Sequence, residues 1–234
     1  EVGHNYFPMI INSDERQWTW MDEGLNTFLQ YLTEKDWDPE YPSRRGPASK
    51  IVPYMQGDKS YIMPIMTNSE SILQFGNNAY GKPATALNIL RESVMGHDLF
   101  DYAFKTYSQR WMFKHPTPAD FFRSMEDASA VDLDWFWRGW FYTNDHVDIS
   151  LDSVFYANIT PEVKANPDTV DIKNISAFSI PDLKNERADS EPENQHFYEL
   201  RFSNIGGLVM PLILTLEDMV TQVGILTKYF WVTI

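Results

Sequence analysis

The sequence begins with a carboxylate and an imidazole three residues apart, Glu1 and His4 in "EVGHNYFP". On a helix this spacing places both side chains on one face, so the imidazole can bind a metal while the carboxylate accepts a proton. The four residues match the end of HExxH, a helical motif in which two histidines bind zinc and the glutamate acts on a water molecule. The first histidine of that motif would stand directly before Glu1, outside the 234 residues of the sequence.

Glu23, in "WMDEGLNTF", is a candidate for the next zinc ligand. It follows His4 after eighteen intervening residues and lies among large apolar side chains, so burial against a metal is an alternative to an ordinary solvated helix face. Catalytic zinc takes three protein ligands and keeps one position open. The sequence has no cysteine, so any metal must be held by His, Asp or Glu.

Each of these pieces also has an ordinary explanation. Five histidines on an acidic chain can produce a Glu-x-x-His pair by chance, and a tyrosine such as Tyr80 in "NNAYGKPATALNIL" is commonly a packing residue. The remaining histidines lack ligand spacing, and "HDLFD" at 97–101 favours a helix start over a metal site. Only the order and spacing of these residues, taken together, can distinguish a zinc site from a chance occurrence.

The elements that would position these residues are mostly helical up to about residue 145. Helical periodicity is present in 20–34 and 79–96, where Gly96 is a plausible C-terminal cap. Thr117 is predicted to cap a helix that starts at Pro118, and another short helix is predicted over 132–141. The four prolines of 36–53 predict a loop. The tryptophans of "DLDWFWRGWF" are expected in the core rather than in a carbohydrate platform.

After residue 146 the pattern changes to short runs rich in β-branched and aromatic residues. The segments "HVDISLDSVFY", "HFYELRFSN" and "LVMPLILTLE" predict strands, with polar, proline-containing connections between the first two, and the tail from 218 can add one or two more. The sequence therefore predicts two domains, a helical one over 1–145 and a β-rich one over 146–234, in an α+β fold.

Composition excludes several classes of function. A formal charge of −14 leaves no basic stripe for phosphates, so nucleic acid is not an expected partner. The most apolar run, 206–216, is too short to span a bilayer, so no transmembrane segment is expected. Neither feature identifies a cellular compartment.

Three segments taken in order resemble one family. "EVGHNYFP", "WMDEGLNTFLQYL" and "AYGKPATALNILRESVMG" are similar to the zinc aminopeptidases related to aminopeptidase N, which are gluzincins. In that family HExxH is followed by a glutamate ligand in "NEGFA" and by a catalytic tyrosine in "YxKG". The resemblance implies the helical C-terminal half of a thermolysin-like catalytic domain, followed by a small antiparallel β-sandwich-like domain.

The resemblance also implies roles for individual residues. His4 and Glu23 would bind zinc as the cofactor, Glu1 would take a proton from water, and Tyr80 would donate its phenolic proton to the developing oxyanion. Asp22 would orient a zinc-binding histidine without touching the metal. Peptides would be the substrates.

The sequence departs from the family pattern at several points. Asp22 stands where the family often has Asn, and Pro83 replaces the usual glycine after Lys82. The first zinc histidine and the glycine-rich "GAMEN" segment are not in the sequence. We therefore expect a piece of a larger enzyme that needs its N-terminal remainder and is inactive alone.

Two other functions remain open. A thermolysin-like endopeptidase also uses HExxH and a distant glutamate, although its ligand normally lies in "NExxSD", and "DEGLNT" lacks the Ser and Asp. A non-catalytic scaffold could keep the same fold as an interaction module. The side-chain types at Glu1, His4, Glu23 and Tyr80 favour an enzyme.

Overall fold

The computed structural model describes residues 1–159, 195–216 and 226–230. The chain divides into two compact units, Glu1–Asp148 together with Gly206–Ile234, and Ile149–Ile205. The first unit contains the helices and the second a strand pair. The boundaries proposed from sequence, 1–145 and 146–234, stay a prediction.

The described residues of the helical unit form six α-helices. They are α1 (Glu23–Trp37), α2 (Ala48–Met55), α3 (Lys82–Ile89), α4 (His97–Trp111), α5 (Pro118–Ser129) and α6 (Asp134–Tyr142). Helix α3 is continuous with a π-helical turn at each end, Gly76–Gly81 and Leu90–Met95. The helix predicted over 79–96 is therefore confirmed, and it ends at Gly96, whose φ of 78° suits a residue without a side chain.

An aromatic core holds these helices together. Neighbouring rings pack edge to face, with Trp20 4.8 Å from Phe141 and Tyr107 4.8 Å from Phe121. Of the α6 tryptophans expected in the core, Trp137 and Trp140 are buried there, and Trp135 is partly buried against it. The buried aromatic members are Phe7, Trp20, Phe28, Phe100, Phe104, Tyr107, Phe121, Phe122, Phe136, Trp137, Trp140 and Phe141.

Local sequence signals set the ends of two helices. Helix α5 begins at Pro118, as predicted, and the Asp120 carboxylate accepts hydrogen bonds from the backbone N–H and the hydroxyl of Thr117 at 2.9 and 2.8 Å. These bonds close the first turn. Helix α4 begins at His97, which confirms that "HDLFD" starts a helix.

The prediction of a loop over 36–53 was wrong at its end, because α2 begins at Ala48 and includes Pro53. Burial outweighs the proline here: Ile51, Tyr54 and Met55 on this helix form a small apolar cluster with Ile62. Proline lacks one N–H and so removes one hydrogen bond, which a packed apolar face can offset.

Helices α1 and α3 approach closely at Gly24. A Cβ added there would lie 2.8 Å from two ring carbons of Pro83 and 3.3 Å from the carbonyl oxygen of Ala79. Only glycine permits this approach without a shift of one helix. The proline that departs from the family pattern is thus accommodated by the missing side chain on the facing helix.

The strands predicted after residue 146 are confirmed as antiparallel pairs. In the Ile149–Ile205 unit, β1 (Ile149–Ile159) pairs with β2 (Gln195–Asn204), with a bulge between Leu151 and Ser153. In the other unit, β3 (Leu212–Leu216) pairs with β4 (Leu226–Phe230), which adds one strand from the tail. Together with the helices this gives the predicted α+β class. The predicted polar connections at 160–194 lie outside the described residues.

Within the described part of the chain, the helices fall short of the length and apolar character that a bilayer crossing requires.

Candidate metal centre

His4 lies in a short helical segment. Gly3–Asn5 form a 3-10 turn, and the backbone N–H of Phe7 extends it by donating to the carbonyl oxygen of Gly3 at 3.0 Å. Its side chain is one-quarter exposed. Gly3 lies directly against α1, since a Cβ there would stand 2.2 Å from the Asn26 side-chain oxygen. The absent side chain lets the segment approach the start of α1.

Two neighbouring carboxylates contact the two nitrogens of His4. Asp22 Oδ1 lies 2.6 Å from Nδ1, and Glu23 Oε2 lies 3.4 Å from Nε2. Asp22 directly precedes α1 and Glu23 is its first residue. A negative group at this end is favoured by the helix dipole. Adjacent residues thus reach opposite sides of one imidazole.

Asn26 completes the environment of Nδ1. Its Nδ2 lies 3.0 Å from His4 Nδ1 and donates to the carbonyl oxygens of Asp22 and Phe7, the former at 3.0 Å. Because an amide nitrogen has two hydrogens, the two carbonyls use both. Nδ1 also lies 2.6 Å from Asp22 Oδ1, so this nitrogen faces a carboxylate, whereas Nε2 faces Glu23.

Burial changes the protonation of Asp22. Desolvation raises the pKa of Asp22 to about 7, with further increases from a hydrogen bond to Glu15 and from the charge of Glu23. The His4 side chain acts in the opposite direction. The Asp22 carboxyl therefore keeps its proton to a higher pH than a solvated aspartate does.

Tyr80 joins the cluster from the π-helical turn before α3. Its side chain forms a hydrogen bond with Glu23, and burial followed by that bond raises the pKa of Tyr80 to about 12. The Arg45 guanidinium carbon lies 4.7 Å from the centre of the tyrosine ring and acts to lower this pKa. The phenol is therefore protonated at neutral pH and is available as a proton donor.

Glu1 lies at the edge of this region and is exposed. Among the described residues it has no ion pair or hydrogen bond. The structure brings together His4, Asp22, Glu23 and Tyr80, and leaves Glu1 free of that group.

The geometry fits a zinc ion. Zinc bonds to nitrogen and oxygen are about 2.0 to 2.2 Å long, so two ligands in a tetrahedral site lie roughly 3.4 Å apart. The separation of 3.4 Å between His4 Nε2 and Glu23 Oε2 has this value. A hydrogen bond from Nδ1 to a carboxylate is the usual way to orient a zinc-binding histidine. His4 and Glu23 would hold the metal, and Asp22 would orient His4.

Other polar clusters among the described residues have internal partners. Glu126, Asp132 and Asp134 lie close together, but Glu126 accepts the Leu133 N–H at 3.0 Å and Asp132 accepts the Asp134 N–H at 3.1 Å. These carboxylates cap the backbone between α5 and α6. They form a turn, which explains their proximity without a metal.

A contrasting ionisable group lies two residues after Tyr80. Lys82 is fully buried, and its Nζ donates to the carbonyl oxygens of Met63 at 2.9 Å and Thr143 at 3.4 Å. Burial lowers the pKa of Lys82 to about 8, while the charge of Asp145 raises it. This lysine is satisfied by the protein itself.

Comparison with known proteins agrees with the geometry. Residues 1–140 match the model of the peptidase family M1 domain. The chain belongs to peptidase family M1. This match confirms the resemblance to the aminopeptidase N group. The family as a whole consists of metallopeptidases and includes aminopeptidases.

Curated relatives are distant. The chain is 23% identical to glutamyl aminopeptidase of Homo sapiens over 139 residues, which cover 57% of the chain and 14% of that protein. It is 23% identical to the Bos taurus protein of that name over 142 residues, with the same coverage, and 24% identical to the Sus scrofa one over 139 residues. The chain thus spans about one seventh of the length of these relatives.

Three contacts of the site were not predicted from the sequence. Asn26 lies one helical turn after Asp22, a spacing that gives a weak signal. Glu15 and Arg45 come from irregular segments and have no periodic signal at all. Their positions depend on the packing of loops against α1.

Proposed function

We propose that the protein carrying this chain is a zinc-dependent aminopeptidase that removes N-terminal residues from peptides. The observation that carries the proposal is the pair of atoms His4 Nε2 and Glu23 Oε2 at ligand spacing, with Nδ1 of the same imidazole against Asp22. Membership of family M1 supports the reaction class. The names of the distant relatives support removal of N-terminal residues.

In this proposal His4 and Glu23 supply two zinc ligands, and the third is a residue outside the 234-residue sequence. Zinc would lower the pKa of water and polarise the scissile carbonyl. Glu1 accepts the proton of the attacking water and passes it to the leaving amine. Exposure leaves its carboxylate free to do so once substrate is present.

Tyr80 donates a hydrogen bond to the carbonyl oxygen as negative charge develops on it. A pKa of about 12 keeps the phenol protonated throughout the neutral range. Its hydrogen bond to Glu23 places the hydroxyl beside one of the two ligands. The donor is therefore next to the position at which the carbonyl would be polarised.

The test compares cleavage of one peptide with a free amino terminus and the same peptide acetylated, before and after treatment with a chelator. We expect the free peptide alone to lose its first residue, and zinc to restore the activity that chelation removes. Internal cleavage of both peptides would indicate a thermolysin-like endopeptidase. A protein that holds no zinc and cleaves neither would be a scaffold.

We also propose that the 234 residues alone hold zinc weakly and are inactive, because His4 and Glu23 supply two ligands of three. Zinc titration of the isolated chain against the full-length protein tests this. Equal affinity in the two would contradict it.

A further inference from the structure

A small pocket lies beside the candidate metal centre, along one face of α1. It has a volume of about 150 Å³. One wall is the helix and the other is the proline-containing segment between α1 and α2. The lining residues are Thr27, Gln30, Tyr31, Glu34, Arg44 and Arg45.

Arg45 belongs to both the pocket and the metal centre. Its guanidinium carbon lies 4.7 Å from the centre of the Tyr80 ring, and the phenol of Tyr80 is hydrogen-bonded to Glu23. A group bound by this arginine therefore lies one side chain away from the residues proposed to act on the peptide bond. The pocket is placed to receive another part of the same substrate.

The arginine segment is held against α1 by its backbone. Gly46, with a φ of 107°, packs on Tyr31 so closely that a Cβ would lie 2.3 Å from a ring carbon. The neighbouring Ser43 is buried as well. Arg44 and Arg45 are thus presented from an anchored segment, although their side chains are exposed.

The charge of the pocket is positive. Among the described residues, neither Arg44 nor Arg45 has a carboxylate within 4 Å, whereas Arg91 and Arg110 pair with Asp101 and Asp127. The one acidic residue of the lining, Glu34, accepts a hydrogen bond of 2.7 Å from Gln30. The lining therefore carries two guanidinium groups and one carboxylate, which gives the pocket a net positive charge on a chain with 33 acidic and 19 basic residues.

We propose that this pocket binds a carboxylate of the peptide substrate through Arg44 and Arg45, an inference that rests on the proposed function. Guanidinium groups bind carboxylates with two parallel hydrogen bonds, which gives them preference over neutral amides. The carboxylate is either an acidic side chain or the C-terminus of a short peptide.

The experiment uses the full-length protein and matched peptides. In the first set, Glu replaces Gln at each position in turn while the C-terminus is amidated. In the second set, the sequence contains Gln only and the C-terminus is either free or amidated. For the wild type we expect kcat/KM to be at least about tenfold higher for the charged member in one of the two sets.

Variants then connect that preference to the pocket. Arg44→Gln is expected to reduce the ratio between charged and neutral peptides to about one, and Arg44→Lys to retain part of it. Arg123→Gln, an exposed arginine on α5, is the matched control and keeps the wild-type ratio. A ratio of one in the wild type, or a preference that Arg44→Gln leaves intact, overturns the proposal.

A binding measurement separates this proposal from the proposed function. N-acetylglutamate carries both kinds of carboxylate and N-acetylglutaminamide carries neither, so calorimetric titration with each tests the pocket without turnover. We expect only the former to bind, and binding to be lost in Arg44→Gln. Binding without peptide cleavage would refute the aminopeptidase and leave the pocket standing; equal behaviour of the two compounds would refute the pocket.

Discussion

The metal centre and the Lys82 site both remove ionisable groups from water, but they satisfy them differently. Two carbonyl oxygens and the charge of Asp145 surround the single cation of Lys82. Around His4, by contrast, two carboxyl groups face one imidazole, and burial together with the charge of Glu23 raises the pKa of Asp22 to about 7. Buried charges must be paired or bind a metal. The protein itself satisfies Lys82, whereas the two carboxyl groups beside His4 would be satisfied by the zinc ion proposed above.

The largest change should come from removing a ligand. In the full-length protein, Glu23→Ala is expected to abolish zinc retention, because the proposed zinc site would lose one of its ligands. Zinc per chain after dialysis measures this. Asp36→Asn, an exposed change on the same helix, should retain a full equivalent. If Glu23→Ala kept its zinc, the metal centre would lie elsewhere.

Tyr80→Phe separates chemistry from binding within the same cluster. The variant should keep zinc and lose roughly a hundredfold or more in kcat, because one donor to the oxyanion is removed. Single-turnover kinetics together with metal analysis measure both quantities. Tyr102→Phe, on the exposed face of α4, is the control. Normal turnover by Tyr80→Phe would exclude the proposed role.

Asp22→Asn tests whether a carboxylate is needed against Nδ1 of His4. We expect zinc affinity to fall by roughly 10- to 100-fold, because the orientation and basicity of the imidazole depend on that partner. Competition with a metal chelator gives the affinity. Unchanged affinity would show that zinc binding does not depend on the Asp22 carboxylate.

The smallest effect is expected at Lys82, where the free energy of unfolding should depend on pH. Since burial lowers the pKa of Lys82 to about 8 from 10.5, the unfolded chain binds more protons than the folded one between these values. Stability therefore rises with pH in that window. Between pH 7.5 and 9.5 we expect the titration of Lys82 to raise the free energy of unfolding by roughly 2 kcal/mol.

Lys82→Met isolates this contribution, because the variant keeps an apolar stem of similar length and has no titrating group. Urea unfolding at the two pH values should show the increase in the wild type and lose it in the variant. The same increase in both proteins would mean that another group causes it.

The sequence predicted those parts of the fold and the site that depend on local patterns. Thr117 and Pro118 define the start of α5 through their own hydrogen bonds and geometry, and the spacing of His4, Glu23 and Tyr80 is a property of the chain alone. The roles of these residues stay predictions. What could not be predicted depends on packing: Arg45 reaches Tyr80 only because its segment folds back over α1.

Helix α2 shows the same limit in the fold itself. Pro53 is a correct local signal against a helix, yet the helix forms because its apolar face is covered by residues such as Ile62. Helix propensity within a short stretch of sequence gives no information on which residues will pack against the helix.

The contact between Gly24 and Pro83 couples the substitutions that these two positions can accept. Glu23 and Gly24 should tolerate substitution equally poorly, one for chemical and the other for geometric reasons. Only the geometric loss has a second-site suppressor: Pro83→Gly removes both carbons that an alanine at position 24 would meet. Substitutions at Gly24 and Pro83 are therefore expected to arise in pairs. At Glu23, by contrast, we expect no second substitution to restore the lost carboxylate.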